Sequence, residues 1–379
     1  MTAAVAAATN PASQADPTTI QPLRVGFLHV GRPESGVRRY GRILAEEAAR
    51  RPDLVTTDVD AGLLEGRAGG LHDRGRALSD VDVVHMQWNR RGWGKGPRSA
   101  QRFLDFRRKN RRPLIVSLHD VFPREGLRER WLAAEVLALR LVGRSASRIV
   151  VHSEEEIGRL EGIVPTSRVR VIPHFVEERE FALTRAAARE QLGVEGKRVV
   201  TLLGFIYGRK GHKILVEAIP ALAPDVQVVY AGGPIAHKEK VLQSVERRKM
   251  ELDLGERLRI TGYLSEEDLE AWVAATDLAV LPFKDISASG SLSTWIAAGK
   301  PILASDLPGF REYDTRVPGS LSLFSPIESE ALAQAISAQL ATDLPEIDPK
   351  VVALREDLTV AKSVDRYVAI YREALREAG

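Results

Sequence analysis

Short apolar segments alternate with amphipathic helical patterns along most of this chain, and no other feature constrains the fold as strongly. The first segment, Leu23–Val30, leads through the loop 31–36 into a helical pattern that continues to about Arg50. Later strand patterns lie at 81–86, 114–118, 148–151 and 169–172, with helical patterns at 99–109, 130–143 and 154–161. Strands that alternate with helices pair in parallel, because each helix returns the chain across the sheet. The pattern therefore predicts an α/β fold with a doubly wound parallel sheet.

The alternation restarts at residue 199, after the charged segment 177–189, which we interpret as a linker. The strand patterns of this second series lie at 199–203, 226–231, 258–261, 278–281 and 302–304. A chain of 379 residues is long enough for two cores. We therefore predict a disordered tail over 1–21, a Rossmann-like domain over 22–180, a second over 181–357 and a final helix over 358–379. That helix either closes the second domain or crosses back to the first.

Composition narrows the class of protein. Apolar residues make up 44% and charged residues 28%, as is typical of folded globular chains. Cysteine is absent, so neither a disulfide nor a thiolate metal site can form. No run of residues is long and apolar enough for a transmembrane helix. The first residues, rich in Ala, Thr and Pro, lack the basic start and apolar core of a signal peptide, so a cytoplasmic protein is expected.

The charge of the chain is distributed unevenly. Residues 1–180 carry 30 basic and 23 acidic residues, and the segment Arg90–Arg112 holds ten basic residues and one acidic one, with aromatic residues between them. One interpretation is a solvated helix face whose aromatic residues lie in the core. The other is a patch that contacts an anionic membrane or an anionic, lipid-linked acceptor, for which we single out Arg90, Arg91, Arg107 and Arg108. Nucleic acid is not expected, because no recognition motif accompanies the charge.

Two such sheets that face each other place the carboxyl ends of their strands around one cleft, where open α/β sheets bind ligands. One loop of this cleft follows the strand 278–281 and leads into a helix through Ser289, Gly290 and Ser291. The free N–H groups and the dipole of a helix N-terminus favour an anion. The alternative is an ordinary strand-to-helix connection with serine as the N-cap.

Two further cleft loops carry candidate charged or polar groups. The loop from Gly204 to Gly211 contains Arg209 and Lys210, which would suit a diphosphate unless they are ordinary surface charges. His119 follows the strand 114–118 and could contact a sugar hydroxyl or stabilise developing charge, or merely cap the next turn. The loop 31–36 lacks the spacing of a nicotinamide-binding motif, and no histidine pair has metal-ligand spacing. No cofactor is therefore expected.

Several segments in this order and spacing resemble the retaining, nucleotide-sugar-dependent glycosyltransferases with two facing Rossmann-like domains (GT-B), specifically glycosyltransferase family 4, the group 1 glycosyltransferases. The resemblance extends from about Leu23 to Tyr371. It rests on VSLHDVFP (116–123), RIVVHSEEEIGRL (148–160), VRVIPHFVE (169–177), LLGFIYGRKGHKILVEAI (202–219), VVYAGG (228–233), LRITGYLSEEDLEAWVAATDLAVLPF (258–283) and AAGKPILASDLPGFRE (297–312).

The resemblance implies that the first domain binds the acceptor and the second binds the nucleotide sugar. Lys210 matches the lysine that binds the diphosphate, and His119 matches the histidine that contacts the donor sugar. With Arg209, these are the predicted catalytic residues. Backbone groups at Tyr263 and Leu264 are expected to hold the base. The other predicted donor-binding residues are Gly36, Gly204, Asp285, Ser289, Gly290, Ser291 and Glu312.

The chain departs from the family pattern at three positions. Phe205 occupies the position of the usual arginine after the first glycine, and Arg209 could supply that charge from a shifted place. Ile286 and Thr294 occupy the positions of the paired glutamates, so neither carboxylate is present. Asp285 could replace the first of them. The backbone N–H groups of 289–291 could instead hold the phosphates and the sugar.

The expected function is transfer of a hexose from a nucleotide diphosphate sugar to an acceptor hydroxyl with retention at the anomeric carbon. A UDP-sugar is favoured and a GDP-sugar comes next. A metal is not expected to be required, since two cations and a helix end can neutralise the diphosphate. One alternative is a sugar-nucleotide epimerase, and another is a non-catalytic protein that binds a sugar nucleotide or scaffolds a partner.

Overall fold

A computed structural model describes residues 21–378, apart from 33–34, 63–68, 95–96, 120, 122–129, 235–238 and 287–288. At 69–70, 90–91 and 130–134 it describes the backbone alone. The predicted tail 1–21 lies almost entirely outside the described residues. None of the helices in the described part is long and apolar enough to cross a membrane.

The first half of the chain forms a sheet of six parallel strands in the order β2-β1-β3-β4-β5-β6. The strand order reverses between β1 and β3, so a switch point lies at that position. The interior strands β3 and β4 are buried throughout and mostly apolar because helices cover both faces of the sheet. The strands are β1 (Leu23–Val30), β2 (Leu54–Gly62), β3 (Val83–Trp88), β4 (Leu114–Leu118), β5 (Arg148–Val151) and β6 (Val169–Val171).

The second half repeats this architecture with a sheet in the order β12-β11-β10-β7-β8-β9, again parallel. Its switch point lies between β7 and β10. The strands are β7 (Arg198–Leu203), β8 (Val226–Ala231), β9 (Leu258–Ile260), β10 (Leu278–Leu281), β11 (Ile302–Ser305) and β12 (Ser322–Phe324). The predicted α/β fold with two doubly wound sheets is confirmed.

The helices up to α12 lie between consecutive strands, and α13, α14 and α15 follow the last strand. Those of the first half are α1 (Gly36–Ala49), α2 (Gly69–Ala77), α3 (Arg90–Trp93), α4 (Pro97–Lys109), α5 (Arg130–Ser145) and α6 (Glu154–Leu160). Those of the second half are α7 (Arg185–Leu192), α8 (His212–Ala218), α9 (Lys240–Glu251), α10 (Glu266–Ala275), α11 (Gly290–Ala297), α12 (Pro308–Arg316), α13 (Ser329–Leu340), α14 (Pro349–Asp357) and α15 (Val360–Ala378).

The segment interpreted as a linker, 177–189, is only partly irregular. Its second part begins α7, where the Thr184 hydroxyl accepts a hydrogen bond from the backbone N of Ala187 (3.3 Å). Arg185 and Arg189 both form ion pairs with Asp277 at the start of β10. The interpretation was therefore wrong for 185–189, because tertiary ion pairs attach these charged residues to the second sheet.

The last helix, α15, packs on the first sheet rather than on the second. Val364, Tyr367 and Tyr371 lie in one buried cluster with residues of α1 and β1. Arg148 on β5 forms ion pairs with Glu373 and Glu377 of the same helix. The chain therefore ends by crossing back to its first half.

The two halves also contact each other through α12 and α6. Glu312 on α12 accepts hydrogen bonds from the backbone N of Glu154 (3.0 Å) and of Glu155 (3.4 Å). A carboxylate is favourable at this position because the N-terminus of α6 carries partial positive charge. The contact brings the carboxyl ends of the two sheets toward one cleft.

Candidate functional site

A cavity of about 370 Å³ opens at the switch point of the second sheet. The loop after β7, the loop after β10 and the first residues of α11 form its wall. The described residues that line it are Gly204, Phe205, Tyr207, Arg209, Lys210, Phe283, Asp285, Ile286, Ser289, Gly290 and Ser291. Two loops that lie some eighty residues apart in the sequence therefore meet where an open α/β sheet binds its ligand.

Lys210 places a cation in the wall of this cavity. Its ammonium donates hydrogen bonds to the carbonyl oxygen of Leu203 (3.1 Å) and to Oγ of Ser291 (2.9 Å). The Nζ atom also lies 5.0 Å from the centroid of the Phe283 ring. Burial lowers the pKa of Lys210 to about 8, with no carboxylate opposing the shift. The geometry leaves this charge available to an anionic ligand.

The N-terminus of α11 faces the same cavity. Ser289 caps the helix, since its Oγ accepts a hydrogen bond from the backbone N of Leu292 (3.3 Å). The hydroxyls of Ser289 and Ser291 lie 3.1 Å apart. A helix N-terminus and an ammonium group both stabilise negative charge, so the two features together favour a phosphate.

Asp285 is the one carboxylate among the described residues that line the cavity, and it lies between two guanidinium groups. Arg209 Nη1 donates to Asp285 Oδ2 (2.7 Å), and Arg159 Nη2 lies 3.4 Å from Oδ1. The prediction that Asp285 replaces a missing glutamate is not tested by this geometry. The carboxylate is nevertheless already paired with both cations.

His119 lies at the carboxyl end of β4 in the first half. Its Nε2 forms a 2.7 Å hydrogen bond with Oε1 of Gln87 at the end of β3. The rings of Tyr40, His152 and His174 surround it, with centroids 4.9, 4.6 and 6.2 Å away. Burial lowers the pKa of His119 well below its ordinary value. The imidazole is therefore neutral at physiological pH and can exchange hydrogen bonds with hydroxyl groups.

Arg159 connects the His119 loop to the cavity. Its Nη1 donates to the carbonyl oxygen of Val121 (3.3 Å), two residues after His119, while Nη2 approaches Asp285. The loop after β4 and the loop after β10 therefore face each other across the cleft. No sequence pattern indicates Arg159, because its partners come from both halves of the chain.

Tyr263 and Leu264, predicted to hold a base, lie beside the cavity rather than in its wall. The Tyr263 hydroxyl donates to the carbonyl oxygen of Pro234, and its exposed ring lies 6.2 Å from that of Phe205, a wall residue. Leu264 packs against the core of the second half. Both positions follow β9, at the same edge of the sheet as the cavity.

Two other predicted donor-binding residues lie away from the cavity wall. Gly36 is exposed at the first position of α1, with open space where a Cβ atom would be. Glu312 instead contacts the N-terminus of α6, because α12 directs this carboxylate toward the other half. The structure therefore assigns Glu312 a contact between the halves that its sequence position did not suggest.

The basic patch lies on α4 and the residues around it. Phe103 and Phe106 are fully buried, and Trp88 and Trp93 also lie in the core of the first half. Arg108 forms an ion pair with Asp105, and Arg107 Nη1 donates to the carbonyl oxygen of Arg112 (3.0 Å). The side chains of Arg90 and Arg91 lie outside the described residues. The aromatic residues thus belong to the core, and the charged ones surround them.

Part of the chain is similar in sequence to known glycosyltransferases. Residues 197–342 match the family described as Glycosyl transferases group 1. The D-inositol 3-phosphate glycosyltransferase of Mycolicibacterium gilvum (strain PYR-GCK) is 27% identical over 236 residues, which are 61% of this chain and 53% of that protein. The GDP-mannose-dependent alpha-(1-6)-phosphatidylinositol monomannoside mannosyltransferase of Mycolicibacterium smegmatis is 27% identical over 186 residues, 46% of each chain. The chain spans about half the length of these curated relatives.

Solved structures share the whole fold at low sequence identity. Anabaena Alr3699/HepE in complex with UDP has a TM-score of 0.70 and 17% identity, covering 93% of this chain and 100% of that one. The sucrose-phosphate synthase (tll1590) of Thermosynechococcus elongatus has a TM-score of 0.66 and 18% identity, covering 94% and 100%. The predicted GT-B fold is confirmed. The resemblance to group 1 glycosyltransferases is confirmed most directly for 197–342.

Proposed function

We propose that this chain is a retaining hexosyltransferase that moves a hexose from a nucleotide diphosphate sugar to an acceptor hydroxyl. The observation that carries the proposal is the cavity at the second switch point, where Lys210 and the N-terminus of α11 present positive charge to the same space. A UDP-sugar is the favoured donor, since the HepE structures contain UDP and UDP-glucose. A GDP-sugar comes next, in view of the GDP-mannose-dependent relative.

The residues of the cavity suit departure of a nucleoside diphosphate. Cleavage of the bond between the anomeric carbon and the phosphate oxygen leaves negative charge on that oxygen. Lys210, Arg209 and the amides at the start of α11 would stabilise it, which is the kind of preorganised electrostatic effect that most lowers a barrier. The proton of the acceptor hydroxyl would pass to the departing phosphate oxygen as the new glycosidic bond forms on the same face. Asp285, held by two arginines, would orient Arg209 rather than attack the sugar.

The donor hexose would extend from the cavity toward the His119 loop. Arg159 holds that loop against Asp285 through the carbonyl oxygen of Val121. The neutral His119 ring would then contact a sugar hydroxyl without adding charge near the anomeric centre. This role comes from the family resemblance, and the buried, uncharged state of the ring is consistent with it.

The acceptor would meet the first half of the protein, where the basic α4 patch lies. We propose an anionic or lipid-linked acceptor and a peripheral contact between this patch and an anionic membrane.

The membrane contact is tested with a variant in which Glu replaces both Arg107 and Arg108. Binding is measured by sedimentation with vesicles that contain about 30% phosphatidylglycerol. Binding should fall steeply between low and physiological salt and be lost in the variant, because exposed charges are screened over roughly 10 Å. Binding that does not depend on salt would contradict the membrane contact.

Replacing Lys210 by Met tests the proposal most directly, with Lys300→Met as its matched control. Lys300 is buried, whereas Lys210 is partly buried. Like Lys210, it has its pKa lowered to about 8 and donates to a carbonyl oxygen, that of Ala274 (3.0 Å), but it does not line the cavity. Loss of one charged stabiliser should lower turnover about ten- to a hundredfold or more. The turnover of Lys300→Met should stay within about threefold of the wild-type value. The change in activation free energy is then less than half of that for a tenfold change. Wild-type turnover in Lys210→Met would refute the assignment.

The substrates for this test are UDP-, GDP- and ADP-sugars, with products followed by chromatography and binding by calorimetry. Sugar transfer or slow donor hydrolysis supports the proposal. Epimer formation would identify a sugar-nucleotide epimerase, and binding without turnover would identify a non-catalytic binding protein. Turnover should persist in excess EDTA, because Lys210, Arg209 and the α11 N-terminus are proposed to neutralise the diphosphate.

A further inference from the structure

A chain of buried hydrogen bonds runs from His119 to the last helix of the protein. His119 Nε2 lies 2.7 Å from Oε1 of Gln87, and Nε2 of Gln87 lies 3.2 Å from Nε2 of His85. Nδ1 of His85 lies 2.7 Å from the hydroxyl of Tyr371 on α15. Four side chains from β3, the end of β4 and α15 are thus connected in series.

All four side chains of this series are removed from solvent. His85 is 0%, Tyr371 1%, Gln87 3% and His119 7% exposed. Water therefore cannot easily replace a broken link, and a buried polar group left without a partner is unfavourable. Each link consequently restrains the orientation of its neighbours.

The donors and acceptors of the series define one protonation pattern. The amide oxygen of Gln87 can only accept, so His119 carries its proton on Nε2. The amide nitrogen can only donate, so Nε2 of His85 accepts, and the Ser117 hydroxyl, 2.9 Å away, donates to the same atom. The proton of His85 therefore lies on Nδ1, from which it donates to Tyr371. This assignment leaves Nδ1 of His119 as a hydrogen-bond acceptor.

Ring packing alone does not select this orientation of His119. The groups that face it are Tyr40 from α1, His85 from β3, His152 after β5 and His174 after β6. Aromatic contacts are similar for the two orientations of an imidazole ring that differ by half a turn. The hydrogen bond to Gln87 is what distinguishes Nε2 from Nδ1.

Gly41 on α1 leaves the space that Gln87 occupies. A Cβ atom at position 41 would lie 2.7 Å from Cγ of Gln87 and 3.0 Å from Nδ1 of His29. Glycine inside a helix is less favourable than alanine. Close approach of Gln87 gives a physical reason for glycine at this position.

We propose that Gln87 and Tyr371 are positioning residues that hold His119 in one orientation and in the Nε2–H tautomer, so that Nδ1 accepts from a hydroxyl of the donor sugar. The contribution of His119 to transfer rests on the proposed function, whereas the hydrogen-bonded series does not. The C-terminal helix α15 therefore takes part in the site, although its residues lie outside the donor cavity.

Histidine ¹⁵N NMR measures the tautomers directly, with the His119 signals assigned from a His119→Gln variant. The wild type should show His119 as the Nε2–H tautomer and His85 as the Nδ1–H tautomer. In Gln87→Leu, His119 should populate both tautomers. In Tyr371→Phe, the Nδ1 proton of His85 loses its acceptor, so the Nε2–H tautomer, which can donate to the Ser117 hydroxyl (2.9 Å), should become populated. The matched control is Gln227→Leu, which removes another buried glutamine whose Nε2 donates to the carbonyl oxygen of Glu256 (3.0 Å) in the second half. It should leave the His119 signals unchanged.

Kinetics of the same variants test the functional consequence. Gln87→Leu should lower kcat about ten- to a hundredfold, the scale of a misplaced group near the reaction centre, while KM for the nucleotide sugar changes less than about threefold. Gly41→Ala should act in the same direction by displacing Gln87. An unchanged His119 tautomer in folded Gln87→Leu would overturn the hydrogen-bonded series, and wild-type kcat with an altered tautomer would overturn its role in positioning. If the wild type itself transfers no sugar, the proposed function fails while the NMR result still decides the series.

Discussion

At the scale of single residues, the cavity is distinguished by a partly buried cation whose charge no carboxylate of the described residues balances. Lys210 hydrogen-bonds to a carbonyl oxygen and a hydroxyl, whereas neighbouring Arg209 pairs with Asp285. Burying a charge without a counterion is unfavourable. A diphosphate would supply the missing negative charge. Its binding would remove the unfavourable burial of the ammonium, and this gain would contribute to the affinity for the ligand.

The pKa of Lys210 leads to a prediction about nucleotide affinity. With this pKa lowered from 10.5 to about 8, the ammonium loses its proton as pH rises through 8. The affinity for UDP should therefore fall between pH 7.5 and 9.5, by up to about tenfold for each pH unit once deprotonation dominates. Calorimetric titration across this range measures it. In Lys210→Arg the decline should disappear, because arginine stays protonated. Equal affinity at pH 7.5 and 9.5 in the wild type would contradict the prediction.

The same pKa shift also sets the direction of a stability change. Between pH 8 and 10.5 the unfolded chain binds more protons at this lysine than the folded chain does. The contribution of Lys210 to the free energy of unfolding therefore rises with pH in that window and is least favourable below it.

The two positions where glutamates are missing should respond differently to substitution. Ile286 is only 8% exposed, belongs to the core of the second half and packs against Gly309. Ile286→Glu should destabilise the protein by about 2 kcal/mol or more, because it buries a carboxylate. Thr294 is half-buried on α11, so Thr294→Glu should change stability little and should tighten UDP binding if it restores a ribose contact. Thermal melting and calorimetry measure these effects, and equal melting temperatures for the two variants would contradict the distinction.

At the scale of secondary structure, α11 combines a structural cap with the candidate anion site. Its eight residues begin after Ser289, and the cap exposes the first amides toward the cavity. A helix of this length contributes to ligand binding chiefly through its first turn, where N–H groups have no partner within the helix. The Ser289 cap and the candidate anion site therefore both involve the first turn of α11.

Removing this cap should affect stability and ligand binding together. Ser289→Ala should cost about 1 kcal/mol of stability and weaken UDP binding several-fold, because the first turn of α11 is no longer held. Thr184→Ala removes the equivalent cap of α7 in the same half of the chain, where the hydroxyl bonds to Ala187 N at the same 3.3 Å distance. This control should lose similar stability but keep wild-type affinity for UDP. Equal affinities for UDP in the two variants, measured by calorimetry, would show that the Ser289 cap does not contribute to ligand binding.

At the scale of the whole molecule, two contacts between described residues join the halves beside the cleft. One joins Glu312 to the N-terminus of α6, and the other joins Arg159 to Asp285. In the first half, both contacts come from α6. Its N-terminus contacts Glu312 on α12, and its Arg159 contacts Asp285 in the cavity loop. The relative placement of His119 and the cavity depends on them.

Replacing Glu312 by Ala should loosen this arrangement. The expected result is a larger radius of gyration by small-angle X-ray scattering and a several-fold lower kcat, with UDP affinity unchanged because Lys210 and α11 are intact. Asp314→Ala is the matched control, since Asp314 on the same helix also accepts from two backbone N–H groups, those of Gly319 (2.8 Å) and Leu321 (3.2 Å), but within its own half. If both variants scatter as the wild type does, Glu312 does not restrain the two halves.

The sequence alone determined the fold class and the position of the cavity, because these follow from local patterns. Apolar runs mark buried strands, the alternation with helices makes the sheets parallel, and loops at strand ends meet at one edge. Lys210, Ser289 and Ser291 could thus be selected before any contact was known. The edge strands β2 and β12 were not predicted. β2 is half-exposed and contains several Thr and Asp residues, so it lacks a continuous apolar run.

Only the tertiary structure decided which partners these residues have. Glu312 turned toward α6, Asp285 toward Arg159, and His119 toward Gln87, in each case through contacts between residues 32 to 158 positions apart. The docking of α15 on the first half depends on Arg148 and on tyrosines that surround His85. No local periodicity encodes such pairs, because they are selected by the packing of complete elements against one another.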